Sequence, residues 1–185
     1  MILRRFIVGV GAFLLVGAAP LARTVPHPNG GPALIIPANS PVLFSGFDEN
    51  GTAQFSGRFK LNGQFVYDCP ADCEPPATED DVELVIILDP ELAASLPHWE
   101  NRGDGMTVYI GDIDRLKHTI ATKGQVDDLL SGKIGDISGH LSIMVDRFAA
   151  DFGCDYSPYY SARFVTLVEQ PRLTRAAVDA NYGCL

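Results

Sequence analysis

The most regular hydrophobic pattern in this 185-residue chain runs from Ala53 to Tyr67. Apolar residues and glycines occupy every second position there, and the positions between them are polar except Val66. A repeat of two predicts a half-buried antiparallel strand, because successive side chains of a strand point to opposite faces. One face of this strand therefore belongs to a core and the other to solvent.

Asn62-Gly63 lies inside this segment and is the residue pair that most strongly favours a tight hairpin turn. A two-residue hairpin at this point would move Phe65 and Tyr67 onto the polar face. A single strand, bent or bulged at Gly57 and Gly63, keeps every aromatic side chain on the apolar face. We therefore predict one long bent strand.

Four later segments also have the apolar runs or alternation of strands, namely 83–88, 106–110, 137–145 and 159–168. Cap and turn residues predict short helices, beginning near Asp89-Pro90, Asp112 and Lys123-Gly124. A closing helix is predicted over 172–182.

The order of the main elements is three strands, a helical region and two strands. This is the order of an OB-like barrel, which is a five-stranded and partly open Greek-key barrel. We predict a mainly β fold with short helices, built on an OB-like five-stranded barrel over 53–170. The alternative is an α+β open antiparallel sheet or another small antiparallel barrel.

The first 22 residues have the parts of an export signal. Arg4 and Arg5 precede an apolar run from Phe6 to Ala22, which ends in small residues. The alternative is a retained membrane anchor, which the glycines and Pro20 within the run disfavour. We predict a signal peptide over 1–22 with an undetermined cleavage site. The mature protein is then periplasmic or secreted, with no stable membrane insertion after cleavage.

Residues 23–52 are rich in proline and glycine, and we expect an extended arm or linker there. Leu34–Ile36 is the part of this arm that is apolar enough to dock on the body as an edge segment. Residues 171–185 are expected to form a C-terminal helix and tail.

All four cysteines follow the signal, at Cys69, Cys73, Cys154 and Cys184. An even number in an exported chain predicts two disulfides. The loops that hold Cys69/Cys73 and Cys154 would flank one face of an OB-like barrel, so we favour a bond from Cys154 to one of that pair, with Cys184 joined to the other. The alternative is Cys69–Cys73 with Cys154–Cys184. A zinc site is disfavoured because the chain lacks a second close cysteine pair.

The net charge of the chain limits the classes of partner that we expect it to bind. The net charge is −9, and loss of Arg4 and Arg5 with the signal makes it more negative. An acidic surface disfavours nucleic acid and anionic membranes as partners. The acidic loop over 68–81 has no calcium-binding spacing. We predict no cofactor and no metal.

Residues typical of catalysis form no familiar motif in this sequence. The chain has no GxSxG elbow, no HExxH and no phosphate-binding glycine loop. His140 shares a predicted strand face with Ser138 and Ser142, but a solvated polar face is the favoured interpretation. We predict no catalytic residues.

Two aromatic clusters are the candidate ligand or partner contacts. His98, Trp99 and Arg102 lie in a loop rich in glycine and charge, where an aromatic side chain is able to anchor a ligand. Tyr156 and Tyr159 precede the last strand, where a ring-shaped ligand could stack on them. Packing at the edge of the core is the alternative for both clusters.

The sequence therefore predicts an exported, disulfide-bonded binding or structural module that is not an enzyme. Its ligand is an unknown protein or small molecule. The alternative is a small exported hydrolase or metal-dependent enzyme with an unfamiliar site. An enzyme would gather titratable groups in a cleft, whereas a binding module would present an aromatic or apolar patch without them.

Overall fold

The computed structural model of the protein describes residues 21–68, 78, 82–103, 105–152 and 157–174. This part of the chain is mainly β with three short helices. The strands are β1 Arg23–Val25, β2 Leu34–Ile36, β3 Leu43–Phe47, β4 Ala53–Ser56, β5 Arg58–Asp68, β6 Glu83–Leu88, β7 His98–Trp99, β8 Thr107–Gly111, β9 Asp136–Phe152, β10 Pro158–Leu167 and β11 Arg172–Thr174. The helices are α1 Pro90–Ser95, α2 Asp114–Ile120 and α3 Lys123–Leu130.

Five strands pair in a closed ring. The order around the ring is β5, β6, β8, β10 and β9, and β9 pairs with β5 again. Four of these pairings are antiparallel, and only β8 with β10 is parallel. Helices α2 and α3 lie in the connection from β8 to β9. Together with β9 they form the long crossover that joins β8 to its parallel partner β10.

The long strand predicted over 53–67 is confirmed. β4 and β5 run beside the same strand, β9, and only Gly57, with φ of 118°, separates them. Asn62-Gly63 lies within β5 and does not form a hairpin. A Cβ atom on Gly63 would collide with the carbonyl oxygen of Ile87, so glycine lets β6 approach at this position.

The core fills the interior of the ring. Alternate residues of β5 are buried, and they face buried alternate residues of β9. The members of this layer include Phe59, Leu61, Phe65, Tyr67, Ile137, Leu141, Ile143 and Val145. Burial of these apolar surfaces is the main favourable contribution to folding.

The proline-rich arm folds onto the body. β2 pairs with β1 on one side and with β7 on the other, and Leu34 is fully buried. β3 extends the main sheet by pairing with β4. Leu34–Ile36 thus docks on the body as the sequence suggested, but it is the middle strand of a three-stranded sheet and not an edge segment.

The helices begin close to the predicted points. Asp89 and Pro90 occupy the cap and first positions of α1. Asp112 was expected to cap α2, which is wrong: Asp112 has φ of 57°, and Ile113 is the cap residue. Helix α3 begins with a capping box between Thr122 and Gln125.

The closing helix predicted from residue 172 is wrong at its start. Arg172–Thr174 form β11, which pairs antiparallel with β9 at residues 138–140. The pairing of β10 with β9 reaches only to Ile143, so β11 satisfies backbone groups of β9 beyond that point. Residues 175–185 lie outside the described part of the chain.

Residues 1–20 of the predicted export signal, which was placed over 1–22, and all four cysteines also lie outside the described residues. Among the residues that the structure describes, no helix is long and apolar enough to cross a membrane.

Candidate functional site

The outer surface of β8 and β10 differs from an ordinary solvated strand face. Val108 and Ile110 of β8 and Tyr160 and Ala162 of β10 point into the core. The alternate residues therefore point outward, and they form what we call the tyrosine face: Thr107, Tyr109, Gly111, Tyr159, Ser161 and Arg163.

Two tyrosines stack on this face. The parallel register places Tyr109 beside Ser161, which brings Tyr159 diagonally next to Tyr109. Their ring centroids are 4.5 Å apart with an interplanar angle of 22°. Tyr159 remains 40% exposed, so the stack presents aromatic surface to solvent.

Two grooves meet at the tyrosine pair. The strand groove has a volume of about 470 Å³ and is lined by both tyrosines together with Glu83, Gly111, Asp112 and Arg163 among others. The loop groove has a volume of about 410 Å³ and is lined by both tyrosines with Arg102, Thr107, Ser157 and Tyr160. Because both rings line both grooves, the tyrosine pair stands between two recesses of the same surface.

Gly111 leaves the strand groove open. Arg163 lies beside Gly111 on β10, and continuing the β6–β8 register places Glu83 beside it on the other side. Glycine projects no side chain between these two charged residues. A Cβ atom on Gly111 would find its nearest neighbour, the carbonyl oxygen of Ala162, at 3.9 Å.

Burial and nearby carboxylates raise the pKa of both tyrosines. Burial raises the pKa of Tyr109 above its usual value, and the charges of Glu83 and Asp68 raise it further. Burial is also the main reason that the pKa of Tyr159 is raised, followed by Glu83 and Tyr109. Both phenols are therefore neutral at physiological pH and can donate a hydrogen bond to a ligand.

A row of carboxylates crosses the neighbouring strands. Asp68 lies opposite Glu83 on β6 and opposite Asp136 on β9. Burial raises the pKa of Asp68, and the charge of Asp136 raises it further. Like charges placed directly opposite each other oppose the pairing of the strands.

An ion pair fixes the far side of the strand groove. Arg163 donates from Nε to Asp146 Oδ1 at 2.7 Å and from Nη2 to Asp146 Oδ2 at 2.9 Å. The Nε atom of Arg58 lies 3.6 Å from Asp146 Oδ2. The hydrogen bonds from Arg163 lower the pKa of Asp146. The charge of Arg163 is thus largely balanced by Asp146, and the pair ties β9 to β10.

The candidate contacts from the sequence separate into different environments. Tyr159 and Arg102 line the loop groove, and Arg102 donates from Nη1 to the carbonyl of Ala93 at 2.7 Å. His98 is half-buried, with Nδ1 2.9 Å from the carbonyl oxygen of Leu96. Tyr156 lies outside the described residues.

Trp99 is fully buried and has no surface for a ligand. Its ring stacks on Phe152 at 4.3 Å, and Nε1 donates to the carbonyl of Asp151 at 3.0 Å. His27 and Phe47 of the arm cover the stack, with ring centroids 5.4 and 6.4 Å from that of Trp99. Trp99 therefore belongs to the core edge, which was the alternative interpretation of its cluster.

Along the first part of β9, buried residues alternate with more exposed polar residues, as the sequence predicted. His140 is exposed there, whereas Ser142 is buried and donates to Asn62 Oδ1 at 2.9 Å. Among the described residues, no group of three or more His, Cys, Asp or Glu side chains could hold a metal ion.

Tyr109 is the site residue that sequence reasoning missed. It lies in the predicted strand Met106–Ile110, whose alternation already implies that Tyr109 points outward between Val108 and Ile110. The missing information was the partner strand, because Tyr109 becomes a stacking surface only beside Tyr159.

Comparison of this chain with protein-family models, with curated proteins and with solved structures finds no match.

Proposed function

We propose that this protein is a small exported binding module that is not an enzyme and that recognises its ligand on the tyrosine face. The mature chain is periplasmic or secreted and holds two disulfides, one of which joins Cys154 to Cys69 or Cys73. The export pattern of the first 22 residues and the even number of cysteines support this part of the proposal.

The proposed scaffold is an OB-like barrel. The closed order of β5, β6, β8, β10 and β9 supports it, as does the helical connection from β8 to β9, which are the third and fourth of these strands along the chain. Barrels of this type bind chain-like ligands on the face of strands two and three, next to the loops that join strands one to two and four to five. The tyrosine face lies on β8 and β10, the third and fifth of these strands along the chain.

The stacked, partly exposed tyrosines are the observation on which the function rests. A large aromatic side chain normally lowers its free energy by burial, so two of them stacked at the surface between grooves mark a contact surface. The net charge of −9 disfavours a polynucleotide in this place, because its phosphates would be repelled.

The test uses small fragments, so that it needs no knowledge of the ligand. Backbone amides of the mature protein are followed by two-dimensional NMR while a library of small organic fragments is added. We expect the binding fragments to shift the amides of Thr107, Tyr109 and Ser161, and we expect Tyr159→Ala to remove those shifts.

The matched control is Leu43→Ser, since Leu43 is 73% exposed and does not line either groove. Its fragment shifts should equal those of the wild type. Fragments that bind elsewhere, or none that bind the tyrosine face, would contradict the proposal. Turnover of hydrolase substrates by the purified protein would contradict its non-enzymatic part.

A further inference from the structure

We infer that the ligand of the tyrosine face is a neutral oligosaccharide chain, which lies across the stacked tyrosines and reaches into the strand groove and the loop groove. This inference rests on the proposed function and names its ligand class. It follows from the shape of the surface, its charge balance and its hydrogen-bonding groups.

The shape favours a chain over a compact molecule. Thr107 lines the loop groove and Gly111 lines the strand groove, four residues further along β8. These positions are about 13 Å apart along an extended strand. Small ligands usually occupy one enclosed pocket, whereas the two recesses here lie on either side of an exposed aromatic stack. A ligand that fills both recesses is longer than one sugar ring.

Among the described residues that line the grooves, acidic and basic side chains are equal in number once Arg163 is set against its partner Asp146. Glu83 and Asp112 supply two carboxylates, and Arg102 and Arg147 supply two guanidinium groups. The third guanidinium, of Arg163, is paired with Asp146. A polyanion would meet Glu83, Asp112 and the net charge of −9, and a polycation would meet Arg102 and Arg147. A neutral ligand avoids both penalties.

Hydrogen-bonding groups of both kinds surround the aromatic surface. The hydroxyls along the grooves include those of Thr107, Tyr109, Ser157, Tyr159 and Ser161. A hydroxyl both donates and accepts, carboxylates accept and guanidinium groups donate, which matches the mixed requirements of sugar hydroxyls. The rings of Tyr109 and Tyr159 supply the flat apolar surface on which the C–H face of a sugar packs.

The test measures binding of defined chains by NMR titration of the mature protein. The neutral probes are maltohexaose, cellohexaose and chitohexaose, and the charged probes are hexalysine and hexagalacturonate. We expect at least one neutral probe to shift amides in both grooves, and the corresponding single sugar to bind much more weakly. Its affinity should change little with salt, because a neutral ligand displaces no counterions.

Gly111→Leu is the decisive variant. The space around a Cβ atom at Gly111 admits a side chain, which would then fill the strand groove, so we expect the affinity of the neutral probe to fall about tenfold or more. Gly124→Leu is the matched control, because a Cβ atom on Gly124 meets nothing within 4 Å and Gly124 lies in α3, away from the grooves. It should bind as the wild type does.

The outcomes separate the ligand class from the proposed function. If only hexalysine or only hexagalacturonate shifts the tyrosine face, the ligand class is wrong and the binding function stands. If no neutral chain shifts that face, or if Gly111→Leu binds the neutral probe unchanged, the inference is overturned. If fragments and every chain leave the face unaffected, the inference and the proposed function fall together.

Discussion

Two stacked aromatic pairs lie near the same ends of β9 and β10, but they differ in their exposure to solvent. Trp99 and Phe152 stack at 4.3 Å, and Tyr109 and Tyr159 stack at 4.5 Å. The first pair includes a fully buried ring, whereas the second includes a ring that is 40% exposed. Stacking geometry therefore does not distinguish a covered core cluster from a partly exposed surface pair.

The arm makes the difference between the two pairs. His27 and Phe47 approach the Trp99 pair edge-on and face-on, and His27 also donates from Nε2 to the carbonyl of Gly51 at 3.1 Å. A Cβ atom on Gly51 would lie 2.9 Å from Nε2 of His27, so glycine permits this contact. The same residue types become core where a segment of chain covers them and a candidate site where grooves adjoin them.

The largest expected effect comes from removing the covered pair. Trp99→Ala leaves a cavity in the core and should lower the free energy of unfolding by about 3–5 kcal/mol. Tyr159→Ala removes a partly exposed ring and should cost about 1 kcal/mol or less. Urea unfolding of both variants measures the contrast. Equal losses would show that the tyrosine pair is structural.

The second largest loss of stability is expected from removing a proposed disulfide between the two aromatic pairs in the sequence. Cys154 lies in the sequence between Phe152 and Tyr159, and we propose that it forms a disulfide. Cys154→Ser should then lower the stability of the mature protein by about 2–5 kcal/mol. Thermal unfolding without reductant measures this loss. An unchanged melting temperature would argue that Cys154 is a free thiol.

Uncovering the first pair should have a smaller effect. His27→Ala removes the hydrogen bond to Gly51 and one face of the aromatic cover, so we expect a loss of about 1–2 kcal/mol. Quenching of the single tryptophan by acrylamide should increase at the same time. His140→Ala is the control, because His140 is exposed on β9. Greater loss of stability from His140→Ala than from His27→Ala would contradict the assignment.

The smallest expected effect is a dependence on pH. Hydrogen bonds from Arg163 lower the pKa of Asp146 in the folded protein, so this interaction is fully stabilising above the ordinary aspartate pKa. The stabilisation is lost as pH falls below about 4, towards the folded-state pKa. Asp146→Asn should therefore be less stable than the wild type at neutral pH, and the difference should shrink in acid. A stability difference that grows in acid would contradict the predicted direction of this pH dependence.

The alternation of residues was enough to predict the long strand and its inward face. Ala53 to Tyr67 could be assigned because a shift in register would bury polar residues, and the structure has that parity. The three-residue strand β11 could not be predicted, because it forms only where β10 stops pairing with β9. The sequence of residues 172–174 has no pattern of its own that predicts this pairing.

Only part of the candidate site could be predicted from the sequence. Tyr159 was a candidate because it lies in an aromatic cluster before a strand, but Tyr109 gained its role from the parallel pairing of two strands far apart in sequence. Trp99 was a candidate for the same local reasons as Tyr159. Whether an aromatic residue is covered depends on the path of the arm, which hydrophobic periodicity does not specify.

The most direct measurement is hydroxyl-radical footprinting of the mature protein, alone and with the neutral hexasaccharide that binds best. We expect Tyr159 to be oxidised readily in the free protein and protected by the sugar, while Trp99 is protected in both states. Oxidation of Trp99 as fast as Tyr159, or no protection of Tyr159 by any bound chain, would contradict the claim that the tyrosine face is the binding surface.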